Sequence, residues 1–220
     1  MNPRNYVVIS ILIYAVQVVV VRLIAGTWNL PFFWAAMLVQ VVLGFWATAK
    51  LDPELLDERF KPKGKDEDPY GSAILTVFFV LQLAIAALDV GRLHIADTVP
   101  IALQIIAMVP FTLGWAGFLW SMIVNKFFSS AIRLQPDRGQ EVISSGPYKW
   151  VRHPGYAFAS LAFFFEGFVL GSWLSVLASL PIIIYLAYRT MLEERLLSGD
   201  LAGYKDYSES VRYRWLPGVW

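Results

Sequence analysis

The chain has 220 residues, 57% of them hydrophobic and 15% aromatic, with a formal net charge of only +1. That is too apolar for an ordinary soluble domain, and the near-neutral balance gives no footprint for nucleic acid. The absence of cysteine excludes disulfides, thiolate metal sites and a cysteine nucleophile, and two isolated histidines, His94 and His153, do not suggest a metal cage.

Six apolar runs of spanning or near-spanning length are expected, which makes the fold class an all-α integral membrane protein. The first covers residues 6–24 and lacks a small-residue cleavage site, so it reads as a retained span. The second covers 30–49, close enough to form an antiparallel hairpin with the first. Residues 50–70 form a charged loop broken by Pro53, Pro62, Gly64 and Pro69. Inside it, residues 53–59 read as a short interfacial amphipathic helix, a lid or a membrane anchor, with proline at its start. The third span is 72–90. Asp89, Arg92, His94 and Asp97, clustered at its outer end, read as a solvated loop rather than a metal site.

The fourth span, 99–124, is long enough to tilt, and Pro110 is placed to kink it. Gly114 and Gly117 suggest close helix contact or bending, and room for a lipid tail in a tunnel between the fourth and fifth spans. A polar connection, 126–152, leads to the fifth span at 154–170 and the sixth at 173–188. These two join at Gly171-Ser172 as a tight helical hairpin. Glu166 lies inside the fifth span, where a carboxylate is expensive and often functional; a protonated or hydrogen-bonded packing residue is the alternative. Gln17, Gln40, Gln82 and Gln104 are expected to hydrogen-bond between helices. The tail, 189–220, is polar with aromatic interruptions.

Lysine and arginine placement orients these spans. With both termini in the cytoplasm, only Arg22 and Arg92 face outward and sixteen of the eighteen basic residues fall inside, as the positive-inside rule asks. The long 126–152 connection and the tail then share the cytoplasmic face.

Two stretches there carry chemistry. Gly146-Pro147-Tyr148-Lys149-Trp150-Val151-Arg152-His153-Pro154-Gly155-Tyr156 is basic and aromatic between apolar runs. Pro154 fits the first turn of a helix, and Arg152 and His153 should sit just outside it, near free N–H groups and the positive end of the helix dipole. The residues alone fit this reading and also a juxtamembrane anchor. The second stretch, 189–197, extends the sixth span. Arg189 and Glu193 are four apart and can pair on one face, with Glu194 about one hundred degrees away. A solvated ion pair is the bland alternative, but the short hairpin brings residues near 153 and near 190 together.

Gly146 to Tyr156, the hairpin, Glu193-Glu194-Arg195-Leu196-Leu197, then Tyr204, Tyr207 and Arg214-Trp215-Leu216-Pro217 together resemble the isoprenylcysteine carboxyl methyltransferase family. The related phospholipid N-methyltransferases are similar over the same region, about residues 126–220. The resemblance implies an integral-membrane enzyme that uses S-adenosylmethionine. It divides one integrated domain into a four-helix membrane region, 1–125, and a cofactor-binding region, 126–220. It implies cofactor contacts at Gly146, Tyr148, Arg152, His153, Pro154, Tyr156 and Glu194, and a catalytic pair, Arg189 and Glu193, near the acceptor and the transferred methyl. The expected partner is a lipid-like or prenylated small-molecule acceptor at the cytoplasmic membrane face, with no metal. Two other classes remain open: a sterol-reductase-like NADPH-dependent membrane enzyme, and a non-enzymatic scaffold.

Overall fold

The structure, a computed structural model, describes residues 3–220, with side chains from Val7 onward. Met1 and Asn2, which the expected topology assigns to the cytoplasm, lie outside the described residues. Among the described residues the fold is entirely helical, without strands. The helices are α1 (Pro3–Ala25), α2 (Pro31–Thr48), α3 (Pro53–Phe60), α4 (Gly71–Leu88), α5 (Ile101–Val124), α6 (Pro154–Val169), α7 (Trp173–Asp200) and α8 (Tyr204–Ser210).

The helix starts follow local chemistry. Pro31, Pro53 and Pro154 occupy the first turns of α2, α3 and α6, where a missing N–H leaves no bond unmade. Asp52 caps α3 by accepting from the amides of Glu54 (2.7 Å) and Leu55 (3.4 Å). Ser172 caps α7 through the Ser175 amide and donates to Asp89 Oδ2 at 2.5 Å. Asp89 Oδ1 in turn accepts from the amides of Ile95 and Ala96. The expected solvated loop is therefore partly a buried staple: Asp89 joins the α4–α5 connection to the α6–α7 turn.

Among the described residues, five helices are long and apolar enough to cross a membrane: α1, α2, α4 with its following turn, α5 and α7. The sixth expected run, α6, has 16 residues and rises only about 24 Å. It starts recessed at the buried His153 and ends at the Asp89 staple, packed between α5 and α7. Helix α7 extends past the expected limit to Asp200, carrying the 189–197 stretch with it. Pro110 does not break α5, which runs unbroken to Val124.

Packing of α5 on α6 is close because Gly114 and Gly117 present no side chain. A Cβ at Gly114 would lie 2.6 Å from the Ala162 nitrogen, and one at Gly117 would lie 2.4 Å from the Phe158 ring. The expected tunnel between these two helices is thus absent at this level; the small residues serve contact. Gln40 Nε2 donates to Glu166 Oε1 (3.0 Å), tying α2 to α6, and Gln82 Nε2 donates to the Phe163 carbonyl (2.8 Å), tying α4 to α6. Gln104 instead bonds the Val99 carbonyl just ahead of its own helix.

Overpacking the α5–α6 seam should cost stability. Gly114→Leu is expected to lose ~1–3 kcal/mol, read as a lowered thermal unfolding midpoint in detergent. Gly199→Leu, at a position with open space around it, should leave the midpoint unchanged.

Candidate active site

The α4 N-terminus, the C-terminal half of α5, the 125–153 connection, the start of α6, the far end of α7 and α8 enclose a cavity of about 250 Å³. One half is polar and is walled by Tyr148, Arg152, His153, Glu193, Tyr204 and Tyr207. The other half is apolar and is walled by Leu75, Trp115, Phe118, Ala159, Phe163 and Leu186. Tyr156, stacked on His153 with ring centroids 6.0 Å apart, lies between the halves and interacts with both Arg189 and Glu193.

The 146–156 segment is shaped by its own residues and by the tail. Gly146 adopts φ +56°, a left-handed conformation that glycine tolerates, and opens a short 3-10 turn over Gly146–Lys149. The amides of Arg152 and His153 then donate to the carbonyls of Tyr213 and Arg214, both at 2.9 Å. Trp215 Nε1 donates to Thr190 Oγ1 on α7 (2.9 Å). The tail therefore closes one side of the site.

Glu194 organises these elements. Oε1 accepts from Arg152 Nε (2.7 Å) and Tyr204 Oη (2.6 Å), and lies 2.9 Å from His153 Nε2. Oε2 accepts from Arg152 Nη2 (2.6 Å) and Arg214 Nε (3.1 Å). A buried carboxylate is tolerated only when paired and hydrogen-bonded, and this one is saturated. Burial, and then the bond to Glu194, hold the Tyr204 hydroxyl far above its usual range, so it stays a neutral donor. Tyr207 Oη donates to the Tyr148 carbonyl (2.8 Å), fixing the 3-10 turn against α8.

Six of the nine nominated residues line the cavity: Tyr148, Arg152, His153, Tyr156, Arg189 and Glu193. Gly146, Pro154 and Glu194 lie behind it and shape its wall. The nominated pair of Arg189 and Glu193 is not an ion pair. Arg189 Nη1 donates to Asp68 Oδ2 (3.0 Å) and Nη2 to the Ser130 carbonyl (2.9 Å), while Nε is buried without a partner. Tyr185 Oη also donates to Asp68. The reason is space: Gly71 leaves room for the guanidinium, and a Cβ there would collide with Arg189 Nη1 and with Asp68. Glu193 faces His153 instead, with Oε2 3.6 Å from Nδ1.

Sequence reasoning missed Asp68, 121 positions from its partner, and Arg59, which also lines the cavity. A signal existed for Arg59, since α3 was recognisable as an amphipathic helix beside the membrane.

His153 makes the site sensitive to pH. Burial alone would depress its pKa, but hydrogen bonds and charge from Glu193 and Glu194 outweigh burial and raise it above the ordinary 6.5. Its contribution to stability is full below that ordinary value and is lost as pH rises through the higher folded value. The wild-type unfolding midpoint should therefore fall as pH rises above 6.5, and His153→Gln should flatten that fall. Parallel profiles for the two proteins would contradict this arrangement.

The phospholipid methyltransferase family model matches residues 102–201. Among curated proteins the chain has no match. The matched segment runs from the start of α5 to the end of α7 and contains the 146–156 stretch, the hairpin and Glu193-Glu194. Methyl transfer to lipid-like substrates in membranes is the chemistry of that family. The cavity-building segment 102–201 is thus the part of the chain that matches the phospholipid methyltransferase family, and it lies in a chain with five apolar helices of spanning length among its described residues.

Proposed function

We propose that the chain is an S-adenosylmethionine-dependent methyltransferase whose acceptor is an amphipathic, lipid-like molecule. The methylated group would be the carboxylate of an isoprenylcysteine-like compound or a lipid head group. The observation that carries this reading is the two-part cavity. A polar half with an acid, a histidine and tyrosines meets an apolar half that lies among the spanning helices. The two halves draw on residues from both sides of position 125, which supports treating 1–125 and 126–220 as one integrated domain.

The residues present fit such a cofactor. Glu193 offers a carboxylate to an ammonium or sulfonium cation, and the faces of Tyr148 and Tyr156 offer cation–π contact. When bound, the cofactor supplies an electrophilic methyl group on its sulfonium. Arg152 and His153 hold the wall that binds it, and Glu194 positions both. The unpartnered Nε of Arg189 is a donor for an anionic acceptor. A carboxylate acceptor then needs no base, and positioning in a water-poor cavity supplies most of the acceleration. With an amine acceptor, Glu193 is the group within reach to take the proton.

The acceptor is proposed to arrive sideways from the bilayer. Helix α4 packs on α1 and α7, and α5 packs on α2 and α6, while Phe163 of α6 stands between Phe79 of α4 and Trp115 of α5. Leu75 of α4 and Phe118 of α5 line the apolar half of the cavity, on the side that such an acceptor's tail would occupy.

Purified protein should bind S-adenosylhomocysteine but not NADPH by calorimetry, and Glu193→Gln should weaken binding about tenfold or more. With radiolabelled methyl donor and a lipid extract, the label should enter long-chain acceptors. Leu75→Trp should suppress that labelling without changing cofactor affinity. Binding of NADPH alone would overturn the reading. Equal labelling of short, water-soluble acceptors in both proteins would overturn sideways access.

We further propose that the cavity and both termini face the cytoplasm, supported by the sixteen basic residues this places inside. Reporter fusions after Trp220 and near His94 should report opposite sides, with Trp220 inside; an external Trp220 refutes the orientation.

A further inference from the structure

Of the charged side chains lining the cavity, all but one have an opposite charge in contact. Arg133 pairs with Glu58 and Asp137, Arg152 with Glu194, Arg189 with Asp68, Glu193 with His153 and Glu141 with Lys126. Arg59 is the exception among the described residues. Its Nη1 donates to the Phe128 carbonyl at 3.3 Å, and its guanidinium lies 5.5 Å from the centre of the Phe128 ring. Neither contact neutralises it.

Arg59 is also held in place by unusual means. The adjacent Glu58 is buried and accepts from Arg133 through both oxygens, Nε to Oε1 at 2.7 Å and Nη2 to Oε2 at 2.8 Å. Ser129 Oγ donates to the same carboxylate (3.0 Å), and Ser130 Oγ donates to the Arg59 carbonyl (2.9 Å). Buried ion pairs of this kind add little net stability, and fixing geometry is their better-attested use. Here the geometry fixed is that of α3, docked on the 129–133 segment with Arg59 turned to the cavity.

The cavity carries a second guanidinium, Arg189, whose buried Nε lacks a partner. The two arginines meet at one residue: Ser130 Oγ donates to the Arg59 carbonyl, and the Ser130 carbonyl accepts from Arg189 Nη2, both at 2.9 Å. Burial, and then the like charge of Arg189 acting against Tyr156, draws the Arg59 pKa down to about 10, still protonated at neutral pH. An unbalanced cation in a half-buried, aromatic-lined cavity is costly. The cost is relieved by one anion that takes hydrogen bonds from both arginines.

We infer that Arg59 and Arg189 together bind an anionic oxygen group of the acceptor, a carboxylate or a phosphodiester, with its tail in the apolar half of the cavity. The inference rests on the methyltransferase reading only in calling the ligand an acceptor. It names Arg59, which lies outside the segment matched by the family, as the residue that selects acceptors by charge. Arg189 is paired with Asp68 and supplies orientation; Arg59 supplies the uncompensated charge.

The test is binding to the full-length protein in neutral detergent, read by tryptophan fluorescence. The probes are oleate, oleyl phosphate and oleyl alcohol. Wild-type protein should bind both anions about tenfold or more tightly than the alcohol, the tighter anion indicating whether the natural group is a carboxylate or a phosphate. Arg59→Gln should lose about tenfold for the anions and nothing for the alcohol, while Arg59→Lys recovers part of the loss. S-adenosylhomocysteine affinity should be the same in all three proteins. In case Arg59→Gln does not fold, oleyl phosphate should protect Arg59 of the wild-type protein from phenylglyoxal, read by mass spectrometry. Equal affinity of the wild type for the three probes, undiminished anion binding in folded Arg59→Gln, or no protection of Arg59 would overturn the inference. Failure to bind S-adenosylhomocysteine would instead overturn the cofactor assignment and leave the anion site standing.

Discussion

One carboxylate holds the candidate site together. Glu194 gathers Arg152, His153, Tyr204 and Arg214, four residues from three separate segments, onto two oxygens near the end of α7. No apolar contact could do this, because dispersion has no preferred direction, whereas each bond to Glu194 fixes an angle as well as a distance. The 146–156 turn, α8 and the tail are otherwise short, and their regular structure would not persist alone in water. Their order is imposed by a charge that must be satisfied because it is buried.

The two ends of the helical bundle use the same device for different purposes. At the far end, Asp89 accepts from Ile95, Ala96 and Ser172 and closes the loops tightly. At the cavity end, Glu194, Asp68 and Glu58 each bind an arginine and leave space between them. Arginine suits this role because its planar fork can satisfy an acid on one edge while presenting other N–H groups elsewhere. Arg189 does so, with Asp68 and Ser130 on its terminal nitrogens and Nε left over.

Much of the frame was legible in the sequence, for reasons that are local. Apolar runs of fixed length, Pro154 after His153 and the break at Gly171-Ser172 determine α6, α7 and their turn without reference to anything distant. The meeting of His153 with the 190s follows from that hairpin alone. What could not be read is pairing across the chain. The i, i+4 rule assigns Glu193 to Arg189 because it sees only one helix, and Asp68 wins because Gly71 lets the guanidinium pass beneath α4. The protein partners of Glu194 are scattered over more than sixty positions, so its organising role is not visible in the sequence. Gly114 and Gly117 fitted either contact or open space, and only the position of α6 decides between them.

The pairing of the 211–215 tail with Arg152 and His153 has a consequence for biogenesis. Helices α1, α2, α4, α5 and α7 precede this tail in the chain, so they can be inserted and packed while it is still being made. Until it arrives, the amides of Arg152 and His153 and the two guanidinium bonds that Arg152 donates to the Val211 and Arg212 carbonyls have no partner. Assembly of the bundle can therefore precede maturation of the cavity, whose wall is complete only when the tail has docked.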